Sequence, residues 1–402
     1  MSPSSSHADA ASSRLIFLGV AFAFLLTMLG TTLPTPLYPV YQQRFGFSQL
    51  MITIIFAAYA VGVIAALITT GRWSDQVGRK PLLLGGLLAS ALSDVIFLNS
   101  DSLVMLLAGR MISGVSAGIF TGTATVAVIE LAPRAWKHMA TFMATAANMG
   151  GLGLGPVVAG FLGEYAPWPL HLAFAVHLGL LVIAVIAVWL AHETVERPAH
   201  PRLQLQRLLI PQEVRGAFLP AAMAGFAGFA VLGFFTATAP AFMNEVLGHD
   251  NRALVGVVAG VVFFASTVGQ LMERRFPQAW RLPTGCAVVI LGVGLVGAGI
   301  GLASLSVFLS GAVIVGLGQG IGFRAGLGMV TAASPKDQRG TVTSTFFFVA
   351  YVAISIPVVG IGLTARAIGL ATTGMGFAVL VGLLSAVALV LLVRRQALAP
   401  SA

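Results

Sequence analysis

The chain has 402 residues, 57% of them hydrophobic and only 9% charged, with a formal net charge of +9 and a mean hydropathy of +0.95. A soluble domain carries about a quarter charged residues, so an aqueous globular fold is excluded, and backbone in lipid must satisfy its polar groups within helices. The apolar runs are continuous and far exceed the roughly ten alternating residues of a barrel strand, which excludes a transmembrane β-barrel.

Residues 1–13, MSPSSSHADAASS, read as a disordered cytoplasmic tail. A helical crossing takes about 20 mostly apolar residues. Twelve such spans are predicted: 14–38, 48–71, 81–98, 102–131, 137–163, 168–191, 216–244, 252–273, 282–302, 305–332, 340–365 and 371–393. GTTLPTPLYPVY follows the first span in place of a small-residue cleavage site, so that span reads as a retained helix. The single cysteine, Cys286, lies in an apolar run and cannot form an internal disulfide.

Twelve spans put both termini on one side. The loops and tails of that side hold 17 Lys and Arg, Arg202 among them, against three on the other side, Arg44, Arg252 and Arg366. Basic residues collect on the cytoplasmic face, so both termini are expected in the cytoplasm and the protein in the inner membrane. The net positive charge then reports topology and contact with anionic lipid head groups, not a nucleic-acid partner. The longest polar interruption, HETVERPAHPRLQLQRLLIPQEVRG, divides the chain into bundles at 14–191 and 216–394, joined by a linker at 192–215 and followed by a tail at 395–402. That is the layout of a duplicated transporter whose two helical bundles enclose a site near mid-membrane.

Between spans two and three lies GRWSDQVGRK, which concentrates charge in a chain that otherwise avoids it. Gly71, Asp75, Gly78, Arg79 and Lys80 resemble the signature loop of the major facilitator superfamily, with Trp73 and Gln76 replacing its usual leucine and arginine. The resemblance implies an all-α integral membrane fold of twelve helices in two pseudo-symmetric six-helix bundles. It also implies a conformational latch, in which Asp75 faces the positive N-terminal end of a helix from the other half. Arg79 can pair with Glu130 at the end of span four. The alternative is that Arg72, Arg79 and Lys80 only anchor topology, which leaves Asp75 and the glycine spacing unexplained.

In span four, Arg110 with Gly114 and Gly118 resembles the same family's R-x-x-x-G-x-x-x-G pattern. A charge inside a span costs about 2.5 kcal/mol or more, so Arg110 is a functional candidate by default. Asp94 lies at nearly the same depth in span three and is the expected salt-bridge partner, either for proton coupling or merely to neutralise the arginine. In span five, Gly151, Gly155, Pro156 and Gly160 resemble the motif of antiporter-type exporters, with Ala159 in place of one glycine. The second half carries echoes of the signature at Gly269, Glu273, Arg274 and Arg275, and of the following loop in SPKDQRGTVTS.

Arg324 in span ten is the other intramembrane cation; it faces either an anionic or zwitterionic cargo, or Glu130, Glu273 or a lipid phosphate. The resemblance places substrate contacts on spans one, four, seven and ten, which selects Tyr38, Arg110, Phe235 and Arg324. Tyr41, Gln42, Tyr59, Asn148, Asn244, Gln270 and Gln319 are further polar groups able to line a cavity. His171 and His177 in span six either pack or carry protons. Span one holds no acidic residue, so Asp94 is the best intramembrane acid for proton coupling, with Glu130 or a histidine behind it.

The expected function is secondary active transport by alternating access: proton-coupled efflux of small organic or drug-like molecules, driven by the proton gradient without a cofactor, by a monomer in contact with lipid. The alternative is a proton symporter or facilitator importing a small metabolite, anionic or not. No zinc-binding, Walker or Ser/His/Asp motif supports an enzyme.

Overall fold

A computed structural model describes residues 3–398 apart from Ala199 and Arg202, so Arg202 of the basic loops lies outside the described residues. Among them, twelve helices are long and apolar enough to cross a membrane. The crossing helices are α1 Pro3–Thr32, α2 Gln49–Thr70, α3 Arg79–Leu98, α4 Leu103–Leu131, α5 Lys137–Tyr165 and α6 Leu172–Leu190 in the first half. The second half contains α7 Arg215–Ala237, α8 Arg252–Met272, α9 Arg281–Gly301, α10 Leu305–Ala333, α11 Arg339–Ile368 and α12 Leu370–Leu398. The ends of the helices that share a face with the termini are called the terminal side below, and the opposite ends the far side.

Helix ends differ from the sequence reading where proline and helix propagation intervene. The segment expected to be a disordered tail at 1–13 is helical from Pro3 onward; proline is tolerated at the first helical position, and lengthening an existing helix avoids the cost of nucleation. At its other end α1 stops at Thr32, because Pro34, Pro36 and Pro39 cannot donate backbone bonds, and a separate short helix Tyr38–Phe45 follows on the far side. Pro240 likewise ends α7 near Ala237, before a short helical turn Ala239–Ala241.

Glycines set the closest helix approaches. Within the first half, Gly62 faces the Met111 carbonyl while Gly114 and Gly118 face the carbonyls of Tyr59 and Val63, so α2 and α4 touch backbone to backbone. The second half repeats this between α8 and α10, where Gly269 meets Leu317, Gly316 meets Val262 and Gly320 meets Ser266. Such small-residue seams let membrane helices gain dispersion contacts that lipid would otherwise supply. The repetition is the structural trace of the duplication.

Among the described residues, two glycine-lined seams join the halves. Along α5 and α8, Gly256 abuts the Pro156 carbonyl, Gly260 abuts Gly153, and Gly160 abuts the Arg252 carbonyl. Along α2 and α11, Gly362 packs on Leu50 and Thr53. The motif glycines Gly151 and Gly155 turn the other way, against the Leu25 and Leu29 carbonyls of α1, so the span-five motif clamps α5 between α1 of its own half and α8 of the other.

Candidate transport site

A cavity of about 460 Å³ lies between the halves, lined from both by α1, α2, α4 and α5 on one side and α7, α8, α10 and α11 on the other. It runs from Thr31, Tyr59 and Arg110 toward Thr141 and Thr343, which lie near the terminal-side starts of α5 and α11. The far side is shut by the seams and by a polar cluster: Arg252 Nη1 lies 3.6 Å from Glu164, the Arg252 N–H donates to Glu164 at 3.0 Å, and Asn251 bonds the Tyr165 hydroxyl at 3.5 Å.

Arg110 is 1% exposed. Its Nη1 donates to the Thr31 carbonyl at 2.5 Å, and its guanidinium lies 4.6 Å from the ring centre of Tyr59 and 5.7 Å from that of Phe56. The expected Asp94–Arg110 salt bridge is not formed. Asp94 Oδ2 instead meets His177 Nδ1 at 2.6 Å, and His177 Nε2 meets the Leu26 carbonyl at 2.9 Å. Helix rotation explains the correction. Ser93 Oγ bonds the Gly109 carbonyl at 2.9 Å, so α3 and α4 are matched in depth at these residues, but the next residue on each helix is turned by about 100° away from that contact.

A carbonyl can only accept, so His177 Nε2 carries a hydrogen, and the contact between Nδ1 and Asp94 holds one further proton. The pair is neutral with that proton and negative without it. Asp94 and His177 are 3% and 1% exposed, respectively, which makes an uncompensated charge there costly. Gly30 of α1 lies directly against the imidazole, with no room for a side chain.

Arg324 lines the cavity, donates to the Gln270 carbonyl at 3.2 Å and lies 3.7 Å from Glu273. Glu273 also holds Arg281 at 3.1 Å. Of the partners considered from the sequence, Glu273 is the one found, in the loop that echoes the signature. Two residues expected at the substrate do not line the central cavity. Tyr38 lines a separate far-side pocket of about 260 Å³ together with Gln42 and Asn244, because the prolines move it off α1. Phe235 is buried in an aromatic cluster, 5.3 Å from Phe234 and 5.5 Å from Phe308 between ring centres. Tyr59, Asn148 and Gln270 do line the cavity; Tyr41 and Gln319 are buried elsewhere. His171 sits at the start of α6 and not within it.

At the terminal side, Arg79 bonds Asp75 at 2.6 Å and Glu130 at 3.3 Å. The expected reach of Asp75 to a helix N-terminus of the other half is not seen, since Asp75 turns to Arg79 and its side chain is 66% exposed. Arg72 makes that crossing, bonding Gln206 at 3.1 Å and Thr341 in the first turn of α11 at 3.3 Å. Gly71, at the end of α2, abuts the Leu67 carbonyl. Glu193, which the sequence did not single out, accepts from the N–H groups of Arg79 at 2.8 Å and Lys80 at 3.3 Å, capping the start of α3. Gly78 makes the cap possible: its φ is +107°, and a side chain there would overlap the Glu193 carboxylate.

Burial opposes ionisation of Glu193, but bonds from the Arg79 N–H, the Arg197 guanidinium and the N–H groups of Thr194 and Lys80 outweigh it and hold the carboxyl below the ordinary value of 4.5. A depressed folded-state value adds stability that is present above the unfolded value and lost as pH falls through the folded one. In thermal melts of detergent-purified protein, Glu193→Gln should lower the melting temperature at neutral pH, and the gap from wild type should close as the buffer is acidified below about 4. Equal melts at neutral pH would rule the cap out as a stabilising contact.

Two pseudo-symmetric bundles enclosing a cavity that opens at one face define a membrane transporter. The chain belongs to the Major Facilitator Superfamily, whose sequence model matches residues 20–358, and members of that family transport small molecules and are not enzymes. It is 30% identical over 183 residues to a protein of Pectobacterium carotovorum subsp. carotovorum (strain PC1) named "Putative multidrug resistance protein MdtD", covering 45% of this chain and 38% of that one. A protein of the same name from Serratia proteamaculans (strain 568) is 27% identical over 249 residues, covering 61% of this chain and 47% of the relative. The matched stretches thus span less than half the length of these relatives. In fold, the chain is similar to a bacterial homolog of the human lysosomal transporter Spinster solved in an inward-facing, unoccupied conformation, with a TM-score of 0.74 at 15% identity, covering 95% of this chain and 98% of that one. The occupied inward-facing form gives 0.68.

Proposed function

We propose that the protein is a proton-coupled exporter of small organic molecules working by alternating access in the inner membrane, with both termini cytoplasmic. The observation that carries this reading is the central cavity, reachable from the terminal side and shut on the far side by the α5–α8 seam. With the basic loops in the cytoplasm, this conformation is inward-open and ready to load. Export is supported by the span-five Gly–Pro motif, whose Pro156 and Gly160 sit in the inter-half seam, and by the multidrug resistance names of the relatives.

Proton coupling is assigned to Asp94 and His177. The Leu26 carbonyl and Gly30 place α1, which lines the cavity, directly on the imidazole. Loss or gain of the shared proton changes the charge of a buried pair packed against that helix. Arg110, expected beside Asp94, contributes instead as the charged group of the cavity. The signature-loop pairs of Arg79 with Asp75 and Glu130 hold the terminal rim of the first half, while Arg72 and Gln206 tie it to α11.

The test is accumulation of a panel of dyes, antibiotics and organic acids in cells with and without the protein. Lower accumulation that a protonophore abolishes is the expected result. Higher accumulation in expressing cells would reverse the direction, and protonophore-insensitive efflux would remove the proton.

A further inference from the structure

Resting on the reading of the central cavity as the cargo site, we infer that the cargo is an aromatic organic anion whose carboxylate or sulfonate docks on Arg110 of the first half and whose ring body stacks in the aromatic wall of the second. Among the described residues lining the cavity none is acidic, while one arginine comes from each half. Arg110 has no carboxylate within 4.0 Å among the described residues, and its buried Nε has no hydrogen-bond partner. One carbonyl and two ring faces do not neutralise it. A buried guanidinium left this way is costly in a membrane unless an anion arrives, and its planar fork suits a two-oxygen acceptor.

The second cation is only partly offset. Glu273 serves both Arg281 and Arg324, so this cluster keeps a net positive charge beside the cavity. The ring partner is equally defined. Phe229, Phe323, Phe347 and Tyr351 line the opposite wall with ring centres 5.4 Å apart for Phe229–Phe323, 6.0 Å for Phe323–Phe347 and 6.3 Å for Phe229–Tyr351. An occupant anchored by its acid on one half and by its ring on the other bridges the two bodies that must move. A volume of about 460 Å³ suits a molecule of two or three fused rings. Energetics agree with export: an anion leaving and a proton entering both carry positive charge inward, so the membrane potential assists each. A cationic drug would meet two arginines and no acid.

The experiment uses three compounds of one shape: naphthalene carboxylate, the neutral naphthalene carboxamide and naphthylmethylammonium, titrated calorimetrically into the purified full chain in nanodiscs at neutral pH. The carboxylate should bind about tenfold or more tightly than the amide, with the ammonium weakest. Arg110→Gln should erase the preference while keeping amide affinity, and Arg110→Lys should restore part of it; a monodisperse profile and an unchanged melt establish that each variant folds. Cyclohexane carboxylate should bind more weakly than its naphthalene counterpart. Equal binding of amide and carboxylate, tighter binding of the ammonium, binding of none of the three, or a preference that survives Arg110→Gln would each overturn the assignment. A charge preference that depends on Arg110 in a protein whose expression does not lower cellular accumulation would support the anion assignment and sink the export reading, so the two failures are separable.

Discussion

Asp94→Asn should abolish uphill, proton-driven transport in vesicles with an imposed pH gradient while leaving downhill exchange of the same substrate in place. The substitution keeps the size of the side chain and can still bond His177, so the contact of α3 with α6 survives. The shared proton does not, because an amide neither takes it up nor releases it at accessible pH. A carrier that has lost its driving ion but not its cavity still equilibrates cargo between the two faces. The effect should therefore split cleanly: accumulation against a gradient falls to the level of empty vesicles, and counterflow stays near wild type. His177→Gln should reproduce the split, since it removes the other end of the same pair. Unchanged gradient-driven flux in Asp94→Asn would take the pair out of the coupling mechanism.

The second large effect is expected at the seam that shuts the far side. A side chain at Gly256 would overlap the Pro156 carbonyl, and backbone on the opposing helix cannot swing aside as a flexible side chain can. Overpacking a tight interface costs about 1–3 kcal/mol, more where backbone must move. Because the seam is closed in this conformation and would part if the far side opened, Gly256→Val should destabilise this conformation more than one open on the far side. Transport should fall steeply, and the population should shift toward a far-side-open form. A thermally stable variant with wild-type flux and no shift would show that the seam does not act as a closure.

Legibility from sequence followed the physics of each feature. The twelve crossings were readable because continuous apolar length is a one-dimensional property; their errors fell at Pro3 and at the prolines from Pro34 to Pro39, where local backbone chemistry decides. The span-five motif was readable as a pattern, and its packing against both α1 and α8 needed coordinates. Asp94 and Arg110 show the limit most plainly. Depth is set by counting residues from the turn between α3 and α4, and the Ser93–Gly109 bond supports that count. Azimuth depends on how each helix is rotated, and that rotation gave Asp94 to His177. The sequence shows an acid in one span and a histidine in another, but no sequence spacing connects residues on α3 and α6. Helix identity alone points to Tyr38 and Phe235, and it does not say which face lines the cavity. Glu193 carried no signal beyond being an acid in a polar linker.

In the proposed transport cycle two bundles rock about the cavity so that one mouth opens as the other shuts. Cys286 is buried and is the only cysteine, so replacing it gives a clean background for spin labels. One pair belongs on the terminal side, at Lys137→Cys and Lys336→Cys, and the other on the far side, at Tyr165→Cys and Asp250→Cys, all at exposed positions. Distances should be measured by pulsed electron resonance across a pH series with and without a transported substrate. Opposed changes are the predicted result, the terminal-side distance shortening as the far-side distance lengthens. Distances that stay fixed, or that lengthen together on both sides, would contradict the account.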